Sequence, residues 1–395
     1  MSKTQYDVLI IGAGPVGCVA ALAMKQIGLS TAVLEVQPQQ SKIPDGRTLA
    51  LSWNSYLILD ELNAWLTDEE RFPIRSIQIS DRGHFGQSVV SGPDVQLSEL
   101  GYVVRFKDLL PRLREVLSQQ KVKTLFQTSA TSIQKHKDYS EITLNMNGVI
   151  STVTARLIVM ADGGQSLNIA GLKHKKAIDH GHDAIVGIIT SDSTPRDIAY
   201  ERFTSTGPIA LLPRGDEYAF VWSVPRHESD DLLNQPESQF LEAFQNAFGD
   251  RCGRFTSIRE KSTYSLATRI AEQPSNGGVV VIGNASQALH PIAAQGLNLG
   301  FRDAWDLADV CRDIEAEDLV TDDTVRTFRR KRRWDRLQTT LFSAGLNRFF
   351  SSKLLGARGL GLLGLDLIPL AKKIIIRQLI FGPKLLLFRK FLWIL

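Results

Sequence analysis

The chain has 395 residues, of which 43% are hydrophobic and 22% charged, a balance typical of a folded globular protein of two or three domains. Its formal net charge of +4 is too small to indicate a nucleic-acid-binding protein. The N-terminus does not resemble a signal peptide, and no stretch approaches the roughly 18 uncharged apolar residues of a spanning helix. We therefore expect a cytoplasmic protein.

The first predicted elements are a strand, a glycine-rich turn and a helix. An apolar run over residues 7–11 is followed at once by a G-x-G-x-x-G motif, formed by Gly12, Gly14 and Gly17 with Pro15 inside it. The glycines permit a tight turn, close approach of the backbone to a pyrophosphate, and close packing of the next helix on the strand. The helix N-terminus then offers unpaired N–H groups to phosphates.

A second strand begins at Thr31 and ends at Glu35, 18 positions beyond Gly17. An acid at this distance is placed to accept hydrogen bonds from a ribose. The motif therefore predicts a dinucleotide site. A second match to the glycine spacing, GLGLLG at 359–364, has no preceding strand, and we interpret it as a coincidence within a leucine-rich tail.

Two later segments repeat the pattern of an apolar strand followed by a polar turn. RLIVMADGGQS (156–166) ends in Asp162 and Gly163, and residues 277–310 contain a strand, a Gly283-Asn284 turn and the start of a helix at Gly296. That second helix N-terminus can face the same ligand as the first. Arg47 lies in a loop on the predicted nucleotide side.

These segments, from about residue 5 to 330, resemble the class A flavoprotein aromatic hydroxylases. The ubiquinone-biosynthesis branch fits best, with the 2-polyprenyl-6-methoxyphenol hydroxylases as the nearest type, through DGRTLALSWNS, GYVVRFKDLL and GNASQALHPIAAQGLNLGFRDAWDL. Asn284 replaces an Asp common in the wider family, and Ala294 stands where Gly is usual. The resemblance implies FAD as the cofactor and NAD(P)H as the co-substrate. The residues that it places around FAD are Gly12, Gly14, Pro15, Gly17, Glu35, Arg47, Arg105, Asp162, Gly163, Gly283, Asn284, Pro291, Gly296, Leu297 and Asn298.

The resemblance also implies the chemistry. NAD(P)H reduces the flavin, dioxygen adds at C4a, and the hydroperoxide transfers oxygen to a phenol. The sequence assigns no general base. His290 is either a structural loop residue or a polar group beside the flavin. No metal site is predicted, because His180 and His182 lack an accompanying acid or cysteine cluster, and Cys18, Cys252 and Cys311 are interpreted as reduced packing residues.

The middle of the chain predicts an antiparallel sheet. Short apolar stretches at 75–91 and 182–225 are separated by Pro, Gly and Asp. We expect this sheet to cover a substrate pocket lined by its apolar side chains, namely Phe203, Leu211, Leu212, Pro213, Phe220 and Trp222. A purely structural sheet is the alternative.

The fold class predicted is α/β, a Rossmann-like FAD-binding domain with an inserted β-sheet domain and a helical tail. The FAD-binding domain is discontinuous and comprises 1–72, 100–172 and 272–330. The substrate domain comprises 73–99 and 173–271. The third region, 331–395, is helical, apolar and basic, with eight basic residues and one acid from Lys353 onward. Residues 353–395 are expected either to contact the inner face of the cytoplasmic membrane or to pack on the protein or in a homo-oligomer interface.

The function expected is hydroxylation of a polyprenylated phenol, with dioxygen, in ubiquinone biosynthesis. A complex of that pathway's proteins is among the expected partners. Two alternatives stay open at this point. One is a related hydroxylase acting on another ring position or on a soluble phenol. The other is a catalytically silent flavin-binding subunit of a ubiquinone assembly complex.

Overall fold

A computed structural model describes residues 5–40, 47–83, 87–194, 197–273, 275–288, 295–321, 323–333, 335 and 337. Its helices are α1 (Pro15–Gln26), α2 (Trp53–Glu61), α3 (Phe106–Gln119), α4 (Arg226–Asn234), α5 (Glu237–Phe248) and α6 (Gln295–Cys311), and residues 323–333 are also helical. Its strands are β1 (Tyr6–Ile11), β2 (Thr31–Leu34), β3 (Thr48–Ser52), β4 (Arg71–Ile74), β5 (Ser76–Asp81), β6 (Gln87–Ser91), β7 (Gly101–Arg105), β8 (Lys123–Leu125), β9 (Thr128–Lys135), β10 (Ser140–Met146), β11 (Val149–Met160), β12 (Ile178–Ser191), β13 (Ile198–Phe203), β14 (Pro208–Arg214), β15 (Glu217–Pro225), β16 (Phe255–Ile270), β17 (Val279–Val281) and β18 (Gln287–Ala288).

A parallel sheet in the order β8-β2-β1-β11 forms the first layer. Strand β11 is long enough to pair with two different strands along its other edge. Its C-terminal half pairs in parallel with β17, and its N-terminal half pairs antiparallel with β10, which in turn pairs with β9. Strands β1 and β2 are apolar along nearly their whole length and buried, as a sheet covered on both faces requires. Helices α1, α3 and α6 pack on one face. The predicted Rossmann-like α/β fold is confirmed.

An eight-stranded sheet in the order β18-β16-β12-β15-β14-β13-β5-β6 forms the second layer. The strands predicted between residues 182 and 225 are present as β12 to β15. The sheet is mixed, however, and not wholly antiparallel as predicted, because β13 pairs with β5 in parallel. These two strands are far apart in sequence. Both begin at the point where the Asp197 carbonyl oxygen accepts the N–H groups of Arg75 and Ser76, and from there they run in the same direction.

Helices α4 and α5 lie within the region predicted as sheet alone. In α5, Phe240, Phe244 and Phe248 recur every four residues and are fully buried, which is the period of an apolar helix face. They pack on Ile185, Ile209, Leu211, Phe220 and Trp222 of the eight-stranded sheet. The prediction that Leu211, Pro213, Phe220 and Trp222 line a substrate pocket was therefore wrong. They lie on the face covered by α5, because alternate residues of a strand point to opposite faces.

The opposite face of the eight-stranded sheet packs against a small antiparallel sheet in the order β3-β7-β4. Ala199 of β13, Ile77 of β5 and Leu212 of β14 contact a cluster that includes Ile74 and Val103 of the small sheet. This contact turns one face of the large sheet toward the nucleotide-binding half of the molecule.

Cys18, Cys252 and Cys311 are buried free thiols, as predicted. Burial raises the pKa of Cys18 and of Cys311 to about 12, so that both stay protonated at neutral pH. Every helix in the described part of the chain is too short or too polar to cross a bilayer.

Phe244→Ala should strongly destabilise the sheet layer. The ring lies 5.0 Å from the centroids of both Phe220 and Phe255 and is fully buried, so truncation leaves a large cavity. We expect a loss of about 3–5 kcal/mol of unfolding free energy, measured by urea unfolding. Glu242→Ala, on the exposed side of the same helix, is the matched control and should cost under about 0.5 kcal/mol. Equal effects of the two changes would contradict this account of the core.

Candidate functional site

The candidate site is a cleft of about 490 Å³ at the carboxyl edge of the parallel sheet. Five parallel strands, β1, β2, β8, β11 and β17, end at this edge, where ligands bind in open α/β sheets. The turns that follow these strands supply most of the lining, including Gly12, Glu35, Asp162 and Asn284. The three sequence segments predicted to share one ligand therefore meet in one cleft.

Gly12 and Gly17 allow the first turn and the second segment to come together. Gly12 has a φ of +104°, and a Cβ there would lie 2.8 Å from the Cα of Asp162. A Cβ on Gly17 would overlap the Gly12 carbonyl oxygen. Both positions require glycine because of protein contacts alone, and Gly17 performs the packing role predicted for it.

Gly14 is different, because nothing in the protein requires glycine there. Its φ of −72° and ψ of 176° are open to any residue, and a Cβ would meet no atom within 4 Å. Gly14 lines the cleft and precedes α1, which begins with Pro15 and has no side-chain cap. The N–H groups of the first turn of α1 are therefore left for a ligand to satisfy, and Gly14 keeps the approach to them clear.

Glu35 is buried at the end of β2, and its carboxylate is held in place by two backbone groups. One oxygen accepts the Ala13 N–H at 3.0 Å and the other accepts the Gln37 N–H at 2.9 Å. Arg114 of α3 lies 3.6 Å from the same carboxylate. Since a carboxylate has about four acceptor positions, Glu35 braces the glycine turn and keeps capacity for a ribose hydroxyl.

Asp162 organises the second turn. Its two oxygens accept the N–H groups of Gly164 at 2.9 Å and Ser166 at 2.8 Å, and it also accepts the Ser166 hydroxyl. His174 packs against Gly164, and its Nε2 bonds the carbonyl oxygen of Ala285 at 3.0 Å. This histidine therefore joins the second turn to the third, a role that sequence reasoning missed because His174 belongs to no motif.

The third segment places Asn284 and Leu297 in the cleft lining. A Cβ on Gly296 would lie 3.7 Å from the Asn284 amide oxygen, so this side chain lies beside the start of α6. Gly283 has a φ of +60° and packs against Val16. It supports the cleft from behind and does not line it.

Asn298 is buried, and its side chain bonds the protein. Its amide oxygen accepts from the Ser52 N–H at 2.9 Å and the Ser55 hydroxyl at 2.7 Å, and its amide nitrogen donates to Ala50 O at 3.0 Å. These bonds fix the start of α6 against β3 and α2. Any contact of Asn298 with a cofactor would therefore come from its backbone.

Of the two predicted arginines, Arg47 lines the cleft and Arg105 does not. The Arg47 guanidinium lies 5.3 Å from the Phe106 ring centroid and 5.6 Å from that of Tyr264, which belongs to the large sheet. Arg105 is ion-paired with Asp108 at the start of α3. Arg47 thus marks the point where the cleft meets the large sheet.

A buried ionic network supports the third turn. Asp303 of α6 accepts the Gly283 N–H at 3.0 Å with one oxygen, and its other oxygen accepts Nε of Arg332 at 2.6 Å. Arg332 also donates to Asp306 at 2.8 Å and pairs with Asp335, which is bonded in turn to Arg302. All five side chains are almost fully buried, so each charge has its partner within the network.

Other cleft residues were not predicted. Thr128, Ser129 and Ala130 follow β8, and Gln165 and Ser166 follow the Asp162 turn. The sequence carries no clear signal for the first group, because β8 is only three residues long and reads Lys-Thr-Leu, without an apolar run. Pro291, His290 and Ala294 lie outside the described residues, as does the whole of 353–395.

The described residues fit FAD on structural grounds. An uncapped helix N-terminus, an open approach at Gly14 and an acid at the end of the second strand suit the diphosphate and ribose of a dinucleotide. The start of α6, with Asn284 and Leu297, lies in the same cleft and suits the flavin half.

Solved structures share this fold. A p-nitrophenol 4-monooxygenase from Pseudomonas putida superposes with a TM-score of 0.77 at 16% identity, over 97% of this chain and 100% of that one. A probable FAD-dependent monooxygenase from Pseudomonas aeruginosa gives 0.71 at 20% identity, over 91% and 99% of the chains.

Curated proteins match along most of the sequence. An uncharacterized protein of Synechocystis sp. is 30% identical over 95% of this chain and 93% of its own length. The ubiquinone hydroxylase UbiL of Rhodospirillum rubrum is 29% identical over 94% and 89%. The 3-demethoxyubiquinol 3-hydroxylase of Escherichia coli is 28% identical over 78% and 80%.

Gly14→Val should remove FAD binding while leaving the fold intact. The branched side chain would enter the approach to the α1 N-terminus, and we expect affinity for FAD to fall by at least about 100-fold, or about 2.7 kcal/mol. The flavin absorbance of the purified protein measures this. Gly17→Ala is the contrasting variant, since it should lower the melting temperature of the FAD-free protein, whereas Gly14→Val should not. A Gly14→Val protein that stays yellow would contradict the assignment.

A family model described as an FAD binding domain matches residues 5–320, four-fifths of the chain. This match spans every turn that lines the cleft. The chain belongs to this FAD-binding family, and it is an FAD-dependent monooxygenase.

Proposed function

We propose that this monooxygenase hydroxylates a polyprenylated phenol in ubiquinone biosynthesis, with NAD(P)H as reductant. The observation that carries the proposal is that relatives named as a ubiquinone hydroxylase and a 3-demethoxyubiquinol 3-hydroxylase align with this chain over most of its length. Mitochondrial ubiquinone biosynthesis monooxygenases, such as the human protein at 24% identity over 78% of this chain, support the same assignment.

When bound, FAD supplies the redox chemistry, taking a hydride from NAD(P)H and activating dioxygen. The chain's residues bind and orient the cofactor. The N-terminus of α1 and the Gly12–Gly14 turn would hold the diphosphate, and Glu35 would hold the ribose. The start of α6 directs a positive dipole end toward the flavin half of the cleft, where developing negative charge is stabilised.

One arginine supports the use of NAD(P)H. Arg47 lines the cleft, and its guanidinium stacks on the Phe106 ring. Its positive charge suits the phosphates of a second dinucleotide approaching from outside. Preference for NADH over NADPH depends on contacts with the 2′-position and is decided by direct assay.

The assay is substrate-stimulated oxygen consumption by the purified, FAD-loaded protein. We expect NADH or NADPH to be oxidised faster in the presence of a polyprenyl phenol, with one ring hydroxyl formed per dioxygen consumed. A deletion strain should accumulate the corresponding unhydroxylated quinone precursor. Protein that binds FAD but shows no such stimulation would instead support a catalytically silent subunit. Stimulation only by a water-soluble phenol would move the assignment to that substrate.

Membrane contact through 353–395 is part of the proposal, because a polyprenylated substrate partitions into lipid. Deleting this segment should lower sedimentation with anionic vesicles at least about tenfold, since each basic residue near such a surface contributes about 1 kcal/mol. Vesicles of neutral lipid are the control and should retain little of either protein. Equal sedimentation of the full-length and shortened proteins would favour packing of the segment on protein.

A further inference from the structure

A cationic face lies along the last described helix. The helix over residues 323–333 buries Val325, Phe328 and Arg332 on one side. Its remaining arginines are all exposed, namely Arg326, Arg329, Arg330 and Arg333. Residues three and four positions apart are neighbours on the surface of a helix, so these four form one patch. We call this patch the arginine face.

The positive charge of the arginine face is largely uncompensated. Arg326 is ion-paired with Asp323 at 3.4 Å, but both side chains are more than three-quarters exposed, where such a pair is weak. The other three arginines form no ion pair and no side-chain hydrogen bond with any residue in the described part of the chain. Like charges at these spacings repel one another, and an anionic partner would relieve that repulsion.

The acids of the neighbouring helix α6 are already engaged. Asp303 and Asp306 are buried against Arg332, on the inner side of the last helix. Asp309, which is exposed, pairs with Lys331. The aspartates of α6 therefore leave the arginine face without a counter-charge.

The last helix runs antiparallel to α6, which determines where its C-terminal end lies. Lys331 pairs with Asp309 near the end of α6, whereas Asp335 pairs with Arg302 in its first half. The C-terminal end of the last helix therefore lies beside the first turns of α6, and Leu297 in those turns lines the cleft. The arginine face thus belongs to an element that ends on the α6 side of the cleft.

The chain continues from this end into a segment of the same charge. Leu337, the last described residue, is 42% exposed, and the sequence beyond it holds nine basic residues and one acid, Asp366. That segment cannot neutralise the arginine face. An anionic lipid surface would attract both and would also receive the apolar residues that dominate 353–395. An acidic protein would match the charge alone.

We propose that the arginine face binds the anionic headgroups of a phospholipid membrane and turns the α6 side of the cofactor cleft toward the bilayer. The membrane contact proposed above involves only residues 353–395, whereas this contact is made by the folded body and fixes its orientation. The choice of lipid over an acidic protein rests on the proposed function, because a polyprenylated substrate partitions into lipid.

The test measures binding of the full-length, FAD-loaded protein to vesicles made of equal parts of phosphatidylglycerol and phosphatidylcholine. A triple variant carries Arg326→Gln, Arg330→Gln and Arg333→Gln. It should show a partition coefficient at least about tenfold below wild type at physiological salt, because each cation near an anionic surface adds to binding. Its melting temperature should match wild type, since glutamine is a good helix former and the three positions are exposed.

The matched control removes the same net charge from exposed positions on other elements. It carries Lys25→Gln, Lys137→Gln and Arg254→Gln. It should bind the vesicles within about twofold of wild type, because scattered charges do not meet the surface together. Equal losses of binding in the two triple variants would show that net charge alone matters and would count against the arginine face.

A second readout reports orientation. Since Cys18, Cys252 and Cys311 are buried, one introduced cysteine can be labelled selectively with an environment-sensitive fluorophore. A label at Leu337→Cys should shift its emission to the blue on the anionic vesicles, and the triple variant of the arginine face should lose this shift. A label at Glu242→Cys, on the exposed side of α5, should not respond.

An unchanged partition coefficient in the triple variant, or an equal shift of both labels, would overturn the proposal. A blue shift produced by poly-glutamate and not by vesicles would assign the face to an acidic protein and overturn it as well. Neither assay uses a phenol or measures turnover. Failure of the proposed function would therefore appear separately, as a lack of substrate-stimulated oxygen consumption.

Discussion

The site depends on one close approach between backbone segments that are 150 residues apart. The turn after β1 lies directly against the turn after β11, and the space between Gly12 and Asp162 does not admit a Cβ. Gly17 closes the same contact from the helix side. Because of this approach, the N-terminus of α1, the end of β2 and the start of α6 all open into one cleft, and a single extended ligand can reach all of them.

Polar side chains around the cleft form hydrogen bonds within the protein itself. Glu35, Asp162 and Asn298 each bond two or more groups of the surrounding backbone or side chains. Such bonds fix the turns in advance, so that a cofactor meets a site already formed. The cost of ordering these turns is then met by folding and not by binding.

The sequence was most informative where backbone geometry leaves few choices. The segment from β1 to Glu35 combines a strand, three spaced glycines, a helix and an acid. Few backbone arrangements fit that combination, so this part of the fold and of the site could be predicted. Motif residues were harder to sort into those that line the cleft, such as Asn284, and those that support it, such as Gly283. That difference depends on the direction of each group in three dimensions.

Long-range contacts were not predictable for a clear reason. Alternation along the strand IAYERF places Glu201 and Tyr200 on different faces of the sheet. The local sequence does not indicate which face packs against α5 and which packs against the small sheet. The aromatic residues of the large sheet were assigned to the wrong face for the same reason. Helix α5 was not predicted, because it is a single 12-residue helix within a region of strands and only three phenylalanines mark its buried face.

The buried network around Arg332 bears on where this protein can be divided. The sequence predicted a boundary at 330. However, Arg332 neutralises Asp303 and Asp306 of α6, and Asp335 pairs with Arg302 of the same helix. Asp303 in turn holds the Gly283 turn. A fragment that stops before Arg332 would leave Asp303 and Asp306 buried without their cation, a loss of about 3–5 kcal/mol where one partner of such a pair is removed. The smallest autonomous flavoprotein therefore includes the first residues of what the sequence alone presents as tail.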